Sequence, residues 1–303
     1  MNPGYGKSIR DLVKERNAQS ASIIISDATR GVPTHLVAGH IIKELAAAGI
    51  EYDKILFVVA LGVHREATAD EIRSFIGDEY YGKVRVENHK PRDTAYLAEI
   101  GTTSFGTPVE VYKAAYECDL HISIGKVELH CFAGFSGGRK SVLPGISGAR
   151  TIAANHSVQN LLDENSIPGV LENNKIHLDM VEAAELYRLD FTVNFVMNDD
   201  LLTSGIFAGS MNSAYSAAVR FLRNYCEVKI PEKPDIIVSS TGKPKNIDFY
   251  QAVTSLVALV PVLTPDITVV LLCQCPEGIN SKDMMRPFEA ASTVEGALYD
   301  RSF

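Results

Sequence analysis

The sequence predicts an α/β protein: a mostly parallel sheet with flanking helices, followed by a second, smaller and truncated α/β domain. Three observations predict it. Short β-rich runs alternate with amphipathic helical stretches, joined by short turns, along most of the 303-residue chain, the pattern of strands that pair in parallel under covering helices. Hydrophobic residues make up 46 % of the chain without any low-complexity tract, the composition of a packed globular protein. The length exceeds one ordinary core, so about two domains are expected.

The elements follow in order. The opening MNPGYGKSIRDLVKERN has no apolar signal core and reads as a polar helix. SIIIS (22–26) is a strand, and LVAGHIIKELAAAG (36–49) an amphipathic helix closing on glycine. KILFVVA (54–60) is the next strand, ATADEIRSFIG (67–77) the next helix and VRVEN (84–88) a short strand. VEVYKAAYECD (109–119) reads as a helix and LHISIG (120–125) as a strand. Farther on, HLDMVEAAELYRL (177–189) is helical, DFTVNFVMN (190–198) is a strand and MNSAYSAAVRFLRNY (211–225) is a long helix.

The charged, proline-bearing CEVKIPEKP (226–234) interrupts this pattern and divides the chain into domains 1–230 and 231–303. DIIVSS (235–240) opens the second, which is short for an independent domain. The apolar stretch 253–272 is broken by Pro261, Pro265 and Asp266, so it reads as helix, turn and buried strand, not as a membrane span.

The formal charge is −8 and the basic residues are scattered. That excludes the concentrated basic face which nucleic acid or an anionic membrane requires, but not a small anion held by one or two arginines. Five cysteines form an odd set without framework spacing, and Cys273-Gln-Cys275 is not a CxxC pair. Reduced thiols in a cytoplasm are the expectation.

In parallel α/β sheets, functional groups gather in loops after the carboxyl ends of strands. Here SIIIS runs into DATRGVPTH, KILFVVA into LGVHREAT and LHISIG into KVELHCFAGFSGGRKS. A further segment, ARTIAANHS, is helical up to Asn155. These loops bring Asp27, Arg30, His64, His130 and His156 towards one crevice. Each residue also has an ordinary role open to it. Asp27 with Thr29 suits a turn and helix cap, Arg30 suits a surface ion pair, and a lone histidine is more often a satisfied polar residue than a ligand. His35 and His40 lie on different faces of one helix and read as structural; His89, His121 and His177 carry no pattern. The glycine block fails as a Walker A loop, because Arg139 stands where glycine must precede Lys140. Nor does SVLPGISG start a following helix, although the loop still suits an anion.

Taken together, DATRGVP (27–33), GVHR (62–65), LHCFAGFSGGRKSVLPGI (129–146), NHS (155–157) and NIDFYQA (246–252) resemble the nickel-dependent lactate racemase family. The resemblance runs from roughly residue 20 to 275. It implies an isomerase, a racemase or epimerase of a lactate-like 2-hydroxy carboxylic acid acting by hydride abstraction and return. The implied cofactor is the nickel pincer nucleotide, nickel pyridinium-3,5-bisthiocarboxylic acid mononucleotide, held covalently on Lys140. By the same resemblance His156 is the nickel ligand, and His64 and His130 are the acid–base pair. Asp27, Thr29, Arg30, Ser136, Gly137 and Gly138 hold the cofactor, while Arg30, Tyr250 and Gln251 contact substrate. The implied partners are a small 2-hydroxy acid and the cofactor-synthesis proteins that supply the nickel nucleotide, with no nucleic acid and no membrane.

This residue set suits the reaction. Removing the hydrogen of C2 as hydride avoids a carbanion beside a carboxylate and leaves a planar 2-keto acid. Return to the opposite face inverts the centre, so two bases in different positions are useful, and histidine titrates in the right range. Arginine holds a carboxylate through two parallel hydrogen bonds, and a tethered cofactor stays aligned. Thr254 stands where the family often has lysine, and Glu66 where proline is common. A 2-hydroxy acid other than lactate is therefore expected, with a non-catalytic binder or carrier of the same cofactor as the alternative. A zinc-dependent hydrolase or lyase using His64, His130 and His156 is a weaker alternative, since no tight motif such as HExxH is present.

Overall fold

The computed structural model describes residues 4–62, 64–198, 200–242 and 245–279, with the side chains of Lys245 and Tyr250 outside that description. The chain divides between Glu227 and Val228 into two compact units.

The strands of the first unit are β1 (Ala21–Ser26), β2 (Ile55–Ala60), β3 (Arg85–Asn88), β4 (Leu97–Thr102), β5 (Pro108–Tyr112), β6 (Leu120–Lys126), β7 (Leu129–His130), β8 (Gly134–Phe135), β9 (Phe191–Met197) and β10 (Thr203–Gly209). Its helices are α1 (Ile9–Arg16), α2 (His35–Ala47), α3 (Ala69–Ile76), α4 (Lys113–Tyr116), α5 (Ala149–Asn155), α6 (Val158–Leu161), α7 (Lys175–Leu186) and α8 (Met211–Cys226). Six strands form the main sheet in the order β10-β9-β6-β1-β2-β3. All neighbours are parallel except β10, which runs antiparallel to β9 at the edge. From β1 the chain moves outward to β2 and β3, then returns to the other side of β1 for β6 and β9. The strand order thus reverses between β1 and β6. In an open α/β sheet, the crevice outside the carboxyl ends at such a reversal is where ligands bind.

Alternation along each strand divides the core between the two faces. Ile23 and Ile25 of β1, with Phe57, Val59, Ile122 and Ile124, pack under Val13 of α1, Val37, Ile41 and Leu45 of α2, and Ile76 of α3. Ile24, Leu56 and Val58 face the other way, towards Val142, Leu143 and Ile146 and towards Met180, Ala183 and Ala184 of α7. Helix starts are locally encoded. Ser8 with Asp11 and Thr68 with Glu71 each form a reciprocal capping box, opening α1 and α3.

The structure corrects three readings of the sequence. Residues 109–119 are not one helix: Pro108–Tyr112 is strand β5, paired antiparallel with β4, and only Lys113–Tyr116 is helical. The period decides it, since Val109 and Val111 alternate with Glu110 and both valines are fully buried. The edge strand β10 escaped notice because its sequence, TSGIFAG, carries two glycines and no dense β-branched run. In the second unit, β11 (Ile236–Ser240) pairs in parallel with β12 (Thr268–Leu272), accompanied by helices α9 (Phe249–Ala252) and α10 (Thr254–Val257). Strand β12 exists as expected but is not buried, for Val270 and Leu272 on its alternate face are exposed. Among the described residues no helix is long and apolar enough to cross a membrane.

One buried polar network ties the layers together. The carboxylate of Asp179 on α7 accepts from Thr103 Oγ1 at 2.6 Å, Thr107 Oγ1 at 2.7 Å and Asn155 Nδ2 at 2.7 Å. It joins α7 to the β4–β5 hairpin and to the last residue of α5, directly before His156. Asp179→Ala strands three buried donors, and each unsatisfied group costs about 1–3 kcal/mol. Urea unfolding of this variant is expected to show a loss of about 3 kcal/mol or more; an unchanged midpoint would remove the network from the list of structural anchors.

Candidate active site

A cleft of about 280 Å³ opens at the strand-order reversal, and Asp27, Arg30, His64, His130, Lys140 and His156 all lie on its walls. The exit of β1 supplies the first group. Asp27 caps the short turn Ala28–Arg30, its Oδ1 accepting from Thr29 N at 2.8 Å and from the Thr29 hydroxyl. Its second oxygen, Oδ2, lies 3.1 Å from His64 Nδ1. The ordinary capping role and the site role thus belong to different oxygens of one carboxylate. A proton on Nδ1 completes that hydrogen bond and leaves Nε2 as the acceptor of the ring. Arg30 Nη2 stands 3.3 Å from Nε2. Thr29 is exposed and touches the cleft only through its hydrogen bonds to Asp27. The loop after β2 holds His64 in place through His64 N to Leu61 O at 2.8 Å and Gly62 N to Gly145 O at 3.0 Å.

The exit of β6 supplies the second group. His130 ends β7, and its Nδ1 faces the N–H groups of Phe132 at 3.5 Å and Ala133 at 3.3 Å. Burial, followed by the charges of Lys140 and Arg139, pushes His130 down to about 2, so it is neutral at physiological pH. The ring of Phe132 meets His130 edge-on at 4.5 Å and His156 edge-on at 4.9 Å, and the Lys140 amine lies 5.7 Å from the same ring centre. Phe132 therefore spaces the two histidines and the lysine.

The glycine block is held from behind by the sheet. Gly137 has φ 82°, and a Cβ there would meet Val127 Cγ2 at 2.6 Å and Asn194 Oδ1 at 2.9 Å, so no other residue fits. The Gly138 N–H donates to Asn194 Oδ1 at 3.0 Å. Asn194 in turn donates to Thr192 Oγ1 at 3.3 Å, which also accepts from Ser123 at 2.9 Å. Ser136 lines the cleft, but its hydroxyl donates to Lys126 O at 2.7 Å and accepts from Glu128 N at 2.9 Å. Gly137 lines the cleft too, while Gly138 packs against Tyr215.

Arg139 points inward. It is 1 % exposed, donates to Gly137 O at 3.2 Å and Ala133 O at 2.9 Å, and lies over the Tyr215 ring at 4.5 Å. Its charge adds to burial in lowering its neighbour, and together they bring the Lys140 amine down to about 7. A lysine in that state is partly neutral at physiological pH and able to act as a nucleophile. Burial, then Lys140, lowers His156 to about 4. Its Nδ1 is buried without a hydrogen-bond partner.

These features fit a group tethered through an amine and carrying a metal that takes one imidazole from the protein. They do not fit the zinc alternative. Among the described residues no three His, Cys, Asp or Glu side chains converge as a metal site. Phe132 separates His130 from His156, and His64 is tied to Asp27.

Gln251 belongs to the second unit, where its N–H is capped by Asp248 Oδ1 at 2.6 Å; the side chain of Tyr250 lies outside the described residues. Thr254 Oγ1 donates to Gln251 O at 2.7 Å. His121 is structural, with Nε2 2.9 Å from Cys118 O and its ring stacked on Tyr187. His35 and His40 are exposed on α2. All five cysteines are free thiols. Sequence reasoning missed Asn194, Phe132 and the Lys126–Glu128 pair. The first had a visible signal, a lone amide inside the apolar strand DFTVNFVMN.

The class is an α/β protein with a buried lysine on a glycine loop, sharing one cleft at the strand-order reversal with His64, His130, His156 and Arg30. The lactate racemase N-terminal domain matches residues 1–168. Lactate racemase of Lactiplantibacillus plantarum is 35 % identical over 257 residues, covering 85 % of this chain and 60 % of that protein. Lactate racemase of Thermoanaerobacterium thermosaccharolyticum is 31 % identical over 297 residues, covering 98 % and 69 %. The structure of the latter's apoprotein matches with a TM-score of 0.89 at 30 % identity, over 98 % of this chain and 70 % of that one. A Thermotoga maritima protein shares the fold, with a TM-score of 0.63 at 21 % identity. The chain belongs to the lactate racemase family. It spans 60 % to 69 % of the length of these two racemases.

The Lys140 amine has a direct readout. Its modification by an amine-specific acylating reagent is expected to rise with a midpoint near pH 7, whereas ordinary lysines follow a midpoint near ~10.4. Peptide mass spectrometry across a pH series checks this, and a Lys140 profile that tracks the surface lysines would contradict it.

Proposed function

We propose that the chain is a racemase or epimerase of a lactate-like 2-hydroxy carboxylate that carries the nickel pincer nucleotide on Lys140. The observation that supports this most is the gathering of Lys140, His156, His64, His130 and Arg30 on one cleft. Lys140 would hold the nucleotide through its amine, and His156, neutral and with an unpartnered ring nitrogen, would ligate the nickel. When bound, that group supplies reversible acceptance of the C2 hydrogen as hydride.

The chain's own residues do the rest. Arg30 binds the substrate carboxylate, and in turning to it leaves the Nε2 atom that it faces at 3.3 Å. His64 then takes the hydroxyl proton at Nε2, and Asp27 at 3.1 Å from Nδ1 stabilises the imidazolium that results. His130, kept neutral, is the second proton carrier, for the opposite hand of substrate. Val32, Leu61, Phe132 and Ile152 supply apolar wall that limits water around the planar 2-keto acid. Cofactor-synthesis proteins would have to supply the nickel nucleotide.

The test uses protein loaded in a host that makes the cofactor, offered single enantiomers of several 2-hydroxy acids. Inversion of at least one is expected. His64→Ala should lower kcat by ~10²–10⁴-fold, the usual worth of a positioned base, and Asp27→Asn should lower it less. If the loaded protein inverts none of them, the chain is a carrier of the cofactor and not a racemase.

A further inference from the structure

We propose that Lys126 is the ligand for a phosphomonoester in the cleft, and that Glu128 is a resident anion that the phosphate displaces. The proposal rests on the reading above only in that a mononucleotide enters this cleft.

The polar groups of the glycine loop are largely engaged within the protein. The Gly138 N–H is engaged by Asn194, and the Ser136 hydroxyl by Lys126 O and Glu128 N. Arg139 is turned inward onto the carbonyls of Gly137 and Ala133. These groups hold the loop together, so a phosphate must find its charge elsewhere. The cations on the cleft wall are Arg30, Lys126 and Lys140. Arg30 stands against His64, and Lys140 is the nucleophile.

Lys126 remains. It is the last residue of β6, beside the strand-order reversal, where phosphates of nucleotides sit in sheets of this kind. Its side chain is only 14 % exposed, and its Nζ lies 2.8 Å from Glu128 Oε2. An ammonium so far out of water needs an anion against it. Glu128 provides one, yet its own side chain is 48 % exposed. Such a half-solvated carboxylate gives up its partner at small cost. A phosphomonoester brings up to two negative charges and three acceptor oxygens, so it outcompetes one carboxylate for the same ammonium. Glu128 can then swing into solvent.

The test is calorimetric titration of the purified chain with nicotinic acid mononucleotide and with nicotinic acid riboside, which differ by the phosphate alone. The wild-type chain is expected to bind the mononucleotide at least tenfold more tightly than the riboside. Lys126→Gln should erase that preference while leaving riboside affinity unchanged. Glu128→Gln, which removes only an exposed competitor, should enlarge the preference several-fold. A wild-type chain without preference for the phosphate overturns the proposal. So does a Lys126→Gln variant that keeps the preference, or one that weakens both ligands alike. Inversion of a hydroxy acid is read separately on loaded protein, so loss of the phosphate preference and loss of the racemase reading are distinguishable results.

Discussion

The hydrogen bond from Gly138 N–H to the buried amide of Asn194 is the contact on which the cleft depends. It pins a glycine turn with positive φ to the inner face of β9, and the direction of the next two residues follows from that turn. Arg139 is driven inward against Tyr215, and Lys140 is left facing the cleft. Asn194 is in turn held by Thr192 and Ser123. A buried polar ladder of this kind is valuable when complete and costly when any member is missing. The sheet therefore fixes the loop from behind, and the loop's front remains free for a ligand.

Desolvation then sets the protonation states. Lys140, His130 and His156 share one partly enclosed space, and burial moves all three towards neutrality. A neutral amine can form a covalent bond, and a neutral imidazole can ligate a metal or accept a proton. His64 is managed differently. It sits nearer solvent, and a single carboxylate oxygen fixes its tautomer. One cleft thus prepares its residues by two routes, burial on the β6 side and a directed carboxylate on the β1 side.

Much of this was legible in the sequence because the strands β1, β2 and β6 are dense in β-branched residues and each runs straight into a loop rich in His, Arg, Asp or Gly. Parallel pairing alone then brings Asp27, His64 and Lys140 together. What stayed hidden depends on partners distant along the chain. Asn194 sits 56 residues from the glycine that it holds, and Asp179 ties α7 to two distant segments, the β4–β5 turn and the end of α5. No local period reports such contacts. The misreading of residues 109–119 has a local cause, since KAAY favours helix and outweighed the alternation of VEV.

The central claim is that Lys140 is a tether and not a phosphate-binding cation. Peptide mass spectrometry and nickel analysis of the chain, produced in a host that loads a known lactate racemase in parallel, test it most directly. The account predicts a covalent mass increase confined to the peptide containing Lys140, with about one nickel per chain, both absent from Lys140→Arg. An unmodified Lys140 and no nickel, in a host where the control racemase is loaded, would contradict it.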